Sequence, residues 1–162
     1  MPRLHLFDLD GTLLYGSSAP QEISRQIGLQ AEAVALDQAI SAGRIGPPEY
    51  AAQVHALWAD LREETCGIRF AFPALPFSEP VDLAGILSAA AKVQIADRLC
   101  EEFGVMRADC VAYGDSLSDK DLFETVPVSV AVNADRHLAG LATHSYVGRD
   151  LWDAYESVRR SL

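Results

Sequence analysis

The most distinctive chemical groups in the chain are two aspartates, Asp8 and Asp10, which follow the short apolar segment Leu4–Phe7. In extended backbone, side chains two residues apart lie on the same face, and Gly11 lets the chain turn just beyond them. Two carboxylates held together repel each other, so such a pair needs a cation or a shared proton. The pattern also fits a solvated Asp-Gly turn. An EF-hand calcium loop fits less well, because no glutamate stands at the twelfth loop position and no helix precedes the loop.

A second acidic cluster, Gly114-Asp115-Ser116-Leu117-Ser118-Asp119, follows another apolar segment, Cys110–Tyr113. Asp115 and Asp119 are four residues apart, so they share one face if a helix begins immediately. Acidic residues at a helix N-terminus also occur for electrostatic reasons alone. Asp115 fits that explanation poorly, because it stands directly at a strand end, as the first acidic pair does. Three carboxylates at one edge of a sheet predict a site for a hard cation of the Mg²⁺ type.

Apolar patterns in the rest of the chain predict the elements that would bring these carboxylates together. Strands are predicted at Leu4–Phe7, Cys110–Tyr113 and Val128–Val132, and helices at Lys92–Phe103 and Asp115–Glu124. Strands that alternate with helices indicate an α/β domain with a mainly parallel sheet, whose ligand sites lie at the carboxyl ends of the strands. Between the acidic clusters, residues 20–64 show helical spacing that is interrupted at Gly46-Pro47-Pro48, which predicts two or three helices.

Composition narrows the classes of partner. The 162 residues carry a formal net charge of -10, which disfavours nucleic acid and anionic membranes. The three cysteines form no C-x-x-C pair, and reduced thiols are expected, with Cys100 and Cys110 in the core. No apolar run approaches the length of a membrane helix, and the first apolar segment does not resemble a signal peptide. A cytoplasmic protein is therefore expected.

The two acidic motifs together resemble those of the haloacid dehalogenase (HAD) superfamily. Asp8-Leu9-Asp10-Gly11-Thr12 is similar to its D-x-D-G-T motif, and the segment from Gly114 to Asp119 is similar to its G-D-S-x-x-D motif. The stretch from Tyr113 through Asn133 most closely resembles the phosphoserine-phosphatase-like branch. The resemblance covers about residues 1–16 and 88–152. It implies a Rossmann-like α/β core, residues 1–14 and 65–162, flanked by helices, with a small helical cap inserted at residues 15–64.

The resemblance further implies a Mg²⁺-dependent phosphatase that forms an aspartyl-phosphate on a small phosphorylated metabolite. Asp8 would be the nucleophile, Asp10 the general acid and base, and Lys92 the partner of Asp8 and of the phosphate. The implied metal ligands are Asp8, the main-chain carbonyl of Asp10, and Asp115, with Asp119 and Ser116 in support. The implied contacts to phosphate are Gly11, Thr12 and a serine or threonine that ends a second core strand.

That last hydroxyl residue has no clear counterpart in the chain. Between Leu61 and Lys92 the candidates are Thr65, Ser78 and Ser88, and Ser78 is preferred because it follows the apolar run Ile68–Phe77. The middle of the chain is also short for this branch. Two alternatives therefore stay open. One is a phosphotransferase or mutase that uses the same aspartyl-phosphate, and the other is a non-catalytic HAD-like binding module that lacks the phosphate-binding strand.

Overall fold

The computed structural model describes residues 3–59, 86–134 and 136–160, which form two compact units. One unit consists of Met1–Ser18 together with Leu87–Leu162, and the other of Ala19–Ile86. The predicted boundary at residues 64 and 65 lies outside the described residues. The assignment of a core and an inserted cap with those boundaries therefore stays a prediction.

The first unit contains the strands and the helices that flank them. Its strands are β1 (Leu4–Phe7), β2 (Asp10–Gly11), β3 (Leu14–Tyr15), β4 (Cys110–Gly114), β5 (Val128–Val132) and β6 (His144–Tyr146). The second unit contains α1 (Ala19–Gln26), α2 (Gln30–Ser41) and α3 (Pro47–Trp58), and the first unit contains α4 (Ala89–Phe103), α5 (Lys120–Thr125), α6 (Arg136–Ala139) and α7 (Leu151–Arg159).

In the described part of the chain, four strands form a parallel sheet in the order β1-β4-β5-β6. Leu4 pairs with Cys110 and Phe7 with Tyr113, so β1 and β4 end side by side. The residues after both strands must therefore lie at the same edge of the sheet. The strands β2 and β3 form a separate small ladder in which Gly11 pairs with Tyr15.

Alternation along the central strands builds a core on each face of this sheet. On one face, Ala112 and Ala131 pack with residues of α4 and α5, including Ala96 and Phe123. On the other face, valines of β4 and β5 pack with Val158 of α7. The strands β4 and β5 are buried throughout, because both of their faces are covered. Such double coverage fixes the register of the strands, since a slip of one residue would exchange the two faces.

The predicted α/β fold with a mainly parallel sheet is confirmed, and so are the strands β4 and β5 and the end of α4 at Gly104. The predicted strand β1 is confirmed, but it is only partly buried, and Phe7 is 39% exposed. The reason is its position, because among the described strands only β4 pairs with β1 in the sheet. Cys100 and Cys110 are free thiols buried in the core, as predicted.

Two helix starts differ from the predicted ones. The helix α4 begins at Ala89 rather than Lys92, because the Ser88 hydroxyl accepts a hydrogen bond from the Ala91 amide and caps the helix. No α-helix begins at Asp115. Ser116 is extended, and a 3₁₀ turn at Leu117–Asp119 precedes α5. No helix among the described residues is long and apolar enough to span a membrane.

Candidate functional site

Three aspartates converge at the edge of the sheet where β1 and β4 end. Asp8 follows β1, Asp115 follows β4, and Asp119 ends the 3₁₀ turn at Leu117–Asp119. Each offers a carboxylate oxygen, and these oxygens all lie within 4.8 Å of one another. Two backbone features hold them there. The Asp8 amide donates to the Tyr113 carbonyl at 2.9 Å, and the Asp119 amide donates to the Ser116 carbonyl at 3.0 Å.

Lys92 reaches this cluster from the first turn of α4. Its ammonium group donates to Asp8 Oδ1 and to Asp119 Oδ1, both at 2.7 Å. The third donor contact goes to the Ser118 hydroxyl at 3.0 Å. An ammonium group has three protons, and these three contacts use all of them. They hold the Lys92 ammonium group between the carboxylates of Asp8 and Asp119. The Lys92 side chain is only 12% exposed and that of Asp8 17%, which strengthens the attraction relative to a surface pair.

Two glycines allow the carboxylates to approach the backbone closely. A Cβ atom at Gly11 would lie 1.9 Å from Asp115 Oδ2, and one at Gly114 would lie 2.3 Å from Asp119 Oδ2. Gly11 also has a φ of 77°, in the left-handed region that favours glycine. Both positions therefore need a residue without a side chain. At each of them, the space that a Cβ atom would fill is occupied by an aspartate carboxylate.

The clustered negative charge perturbs the acids. Burial raises the pKa of Asp115 to about 7, and the nearby carboxylates of Asp8 and Asp119 contribute to the rise against the opposing pull of Lys92. Burial also raises the pKa of Asp119, although its hydrogen bond from Lys92 opposes the shift. For Lys92, burial acts to lower the pKa, but the hydrogen bonds to Asp119 and Asp8 outweigh it and raise the pKa. The site thus carries more negative charge than one lysine compensates.

This donor set fits a divalent cation. Three ionised carboxylates and one ammonium group leave a formal charge of about -2, which a divalent cation would neutralise. Carboxylate oxygens are the hard ligands that Mg²⁺ prefers. The pKa of Asp115 is raised because its ionised form is buried without a sufficient counter-charge, and a cation beside it would supply one. Asp8, Asp115 and Asp119 are therefore the residues that could hold the metal.

Among the predicted site residues, the structure brings together Asp8, Lys92, Asp115 and Asp119. Asp119 was predicted only to support the metal, but its carboxylate lies within the cluster itself. Asp10 lies in β2, exposed, and its roles as metal ligand through its carbonyl and as general acid stay predictions. The Ser116 amide donates to Asp119 Oδ2 at 3.3 Å, which agrees with a supporting position.

Four further hydroxyl residues bear on the sequence-based predictions. Ser118 was missed, although it stands one residue before Asp119 in the same motif and accepts from Lys92. The Thr12 hydroxyl is buried, and no hydrogen-bond partner for it exists in the described part of the protein. Ser78, the preferred phosphate-binding hydroxyl, lies outside the described residues, as does Thr65.

Comparison with known proteins agrees with this geometry at the level of the fold. No family model and no curated protein matches the sequence. Among solved structures, the chain is similar to a phospho-aspartyl intermediate analogue of phosphoserine phosphatase, with a TM-score of 0.74, 19% identity, and coverage of 96% of this chain and 98% of that one. A substrate-bound phosphoserine phosphatase gives a TM-score of 0.74 at 18% identity, with coverage of 97% and 98%.

A probable phosphoserine phosphatase from Vibrio cholerae matches with a TM-score of 0.62 and 17% identity, over 90% of this chain and 60% of that one. A HAD family hydrolase from Salmonella enterica serovar Typhi matches with a TM-score of 0.62 and 15% identity, over 88% of this chain and 66% of that one. The chain therefore has the HAD-type Rossmann-like fold of phosphoserine phosphatases. The resemblance seen in the two acidic motifs is confirmed as a likeness of fold.

Proposed function

We propose that the protein is a Mg²⁺-dependent phosphatase that hydrolyses a small phosphate monoester through an aspartyl-phosphate on Asp8. The observation that carries the proposal is the contact of Lys92 with both Asp8 and Asp119, within a cluster of three carboxylates on this fold. One lysine leaves a partly buried cluster of three acids with uncompensated negative charge, and uncompensated buried charge costs stability unless a cation neutralises it. A site that must bind a cation and a phosphoryl group needs that arrangement.

The chain's own groups divide the work. An oxygen of the Asp8 carboxylate attacks phosphorus, and the bond from phosphorus to the ester oxygen breaks. Lys92 holds Asp8 in place and offers positive charge to the phosphoryl oxygens. Asp10, two residues beyond, protonates the leaving oxygen and then takes a proton from the water that hydrolyses the intermediate. Asp8, Asp115, Asp119 and the Asp10 carbonyl would hold Mg²⁺, which would supply the charge neutralisation that a loose phosphoryl transition state requires.

The test uses the purified full chain with an aryl phosphate, with Mg²⁺ or with excess EDTA. We expect turnover that needs the metal and that falls at least about a thousandfold in Asp8→Asn, because the amide is a poor nucleophile. Asp153→Asn, an exposed carboxyl in the first turn of α7, is the matched control and should retain activity. Acid-quenched protein should carry one phosphoryl group on the peptide that contains Asp8, and Asp8→Asn should not.

The remaining outcomes separate the alternatives. Turnover that survives both EDTA and Asp8→Asn would contradict the mechanism. Transfer of phosphate to an added alcohol in preference to water would identify a phosphotransferase. Absence of turnover in a folded protein that binds Mg²⁺ would identify a non-catalytic binding module.

A further inference from the structure

Two cysteine thiols touch each other in the core between α4 and the sheet. Cys100 lies in the last turn of α4 and Cys110 is the first residue of β4, and their Sγ atoms are 3.3 Å apart. Both residues are buried, with exposed fractions of 8% and 1%. Within the described residues, no third cysteine, histidine or carboxylate completes a metal site with them. The contact therefore joins two free thiols and is separate from the acidic cluster.

The hydrogen bonds of the two sulfur atoms explain how they face each other. The Cys110 thiol donates to the Met106 carbonyl at 3.6 Å, so its sulfur lone pairs can accept from the Cys100 thiol. Burial raises the pKa of the Cys110 thiol to about 12, and its hydrogen bond with Cys100 adds to the rise. Cys110 is therefore a neutral thiol at neutral pH. Metal binding is disfavoured, because the thiolate is the form that ligates metals.

The chain reversal between α4 and β4 holds the two sulfur atoms in contact. Gly104 ends α4 with a φ of 63°, and the Val105 amide donates to the Cys100 carbonyl at 3.0 Å. The Arg107 guanidinium group then donates to the Val93 carbonyl at 3.2 Å, which ties the connection back to α4. The start of β4 is thus held beside the last turn of α4 by the backbone, independently of the sulfur atoms.

Only a small movement separates this contact from a covalent bond. A disulfide has an S–S length of about 2.05 Å, so the sulfur atoms at 3.3 Å must approach by roughly 1.3 Å. Because the sulfur atoms already touch, the two side chains converge, as a disulfide requires. A fixed backbone keeps the second thiol close to the first, so closure of the bond is an intramolecular step.

We propose that Cys100 and Cys110 form a reversible disulfide when a small disulfide, such as glutathione disulfide, oxidises the protein. The sulfur of Cys100, the more exposed of the two, attacks one sulfur of the oxidant and releases one small thiol. The Cys110 sulfur then attacks the Cys100 sulfur, so that the Cys100–Cys110 bond forms and the mixed disulfide breaks. Two electrons and the two thiol protons pass to the oxidant, which leaves as two small thiols.

The disulfide would clamp α4 to β4 at the end of the sheet opposite the acidic cluster. Cys110 begins β4, whereas Asp115 follows its end, and Lys92 lies in the first turn of α4. The bond would therefore join the two elements that carry Lys92 and Asp115 without touching either side chain. The cysteines are 10 positions apart, and the chain-entropy model gives a loop of that length about a hundredfold shift of the unfolding equilibrium towards the folded state.

The first experiment determines whether the bond forms in the folded protein. The full chain is incubated with glutathione disulfide in native buffer, its remaining thiols are alkylated, and it is digested with trypsin. The three cysteines fall on different tryptic peptides, residues 63–69, 99–107 and 108–120. We expect peptides 99–107 and 108–120 to be linked, and dithiothreitol to separate them. Free thiols in both peptides, glutathione on either without a link, or a link from either to Cys66 would overturn the proposal.

The second experiment measures what the bond does. Urea unfolding is compared between the reduced and oxidised forms of each protein, and we expect oxidation to lower the unfolding constant of the wild type at least tenfold. Oxidation should leave Cys100→Ser and Cys110→Ser unchanged, and alanine replaces serine in any variant that fails to fold. Cys66→Ser is the matched control and should respond as the wild type does. A linked protein that is no more stable than the reduced one would overturn the clamp.

Discussion

Replacement of Asp115 by asparagine should improve the stability of the metal-free protein while it destroys metal binding. The pKa of Asp115 rises from 3.8 to about 7 on folding, mainly through burial and then through Asp8 and Asp119. A carboxyl whose pKa is raised favours the folded state in its protonated form. Its contribution is therefore fully present below pH 3.8, and it is lost as the pH rises through about 7.

The shift sets the size of the effect. A change from 3.8 to about 7 is roughly three pKa units at about 1.4 kcal/mol each, or about 4 kcal/mol as a ceiling. Asp115 is partly exposed, so solvent screening reduces the expected cost of its charge to about 1–2 kcal/mol at pH 8. An asparagine side chain carries no charge at any pH, and the Asp115→Asn variant should therefore avoid this cost.

The measurement is urea unfolding of both proteins in metal-free buffer at pH 4.5 and pH 8. Asp115→Asn should exceed the wild type by about 1–2 kcal/mol at pH 8 and by less at pH 4.5. Added Mg²⁺ should raise the stability of the wild type at pH 8 and leave that of the variant nearly unchanged. The exposed Asp153→Asn should show neither effect. A variant that is less stable than the wild type at pH 8, or a difference that does not depend on pH, would refute the electrostatic reasoning.

Three further perturbations test other parts of the structure. Lys92→Met leaves the carboxylates of the site without their cation, so it should abolish turnover and cost about 1–3 kcal/mol in urea unfolding at pH 8, and less at acid pH. Gly11→Ala would force a Cβ atom against the Asp115 carboxylate and should abolish Mg²⁺ binding measured by calorimetry, whereas Gly16→Ala, with a similar φ and open space around it, should cost only about 1 kcal/mol and keep binding. Val130→Ala in the buried sheet should cost about 2–3 kcal/mol in the same unfolding assay, and the 87% exposed Val147→Ala should change stability by less than about 0.5 kcal/mol.

Local chemistry explains why much of the site was predictable from sequence. Asp8 and Asp115 each follow an apolar strand directly, and parallel neighbours end at the same edge, so their convergence follows from the pattern of the strands. Lys92 was predicted only through the resemblance to the HAD superfamily, and the helix that carries it begins earlier than expected, at the Ser88 cap. A helix N-cap depends on one side-chain hydroxyl and on the backbone conformation of that residue. The spacing of apolar residues, from which the helix was predicted, does not reveal either of them.

Other features depend on contacts that the sequence does not display. The burial of Asp119 requires the 3₁₀ turn and the missing side chain of Gly114 at once. The unpaired hydroxyl of Thr12 and the position of Arg149 over Tyr15 emerge only when distant loops meet. The spacing of apolar residues predicts which segments form helices and strands. It does not show which polar side chains lack a hydrogen-bond partner in the folded protein.

The separation of the site residues along the chain has a consequence for folding. Lys92 and Asp119 are 27 positions apart, whereas Lys92 and Asp8 are 84 positions apart. Closing the longer loop costs more entropy and delays the contact, so β1 should dock after α4 and β4 have formed a nucleus. Before β1 docks, the site would contain Lys92, Asp115 and Asp119, but the nucleophile Asp8 would not yet be in place. The enzyme we propose would therefore have no phosphatase activity until β1 has docked. Partly folded molecules could not attack the phosphate esters around them.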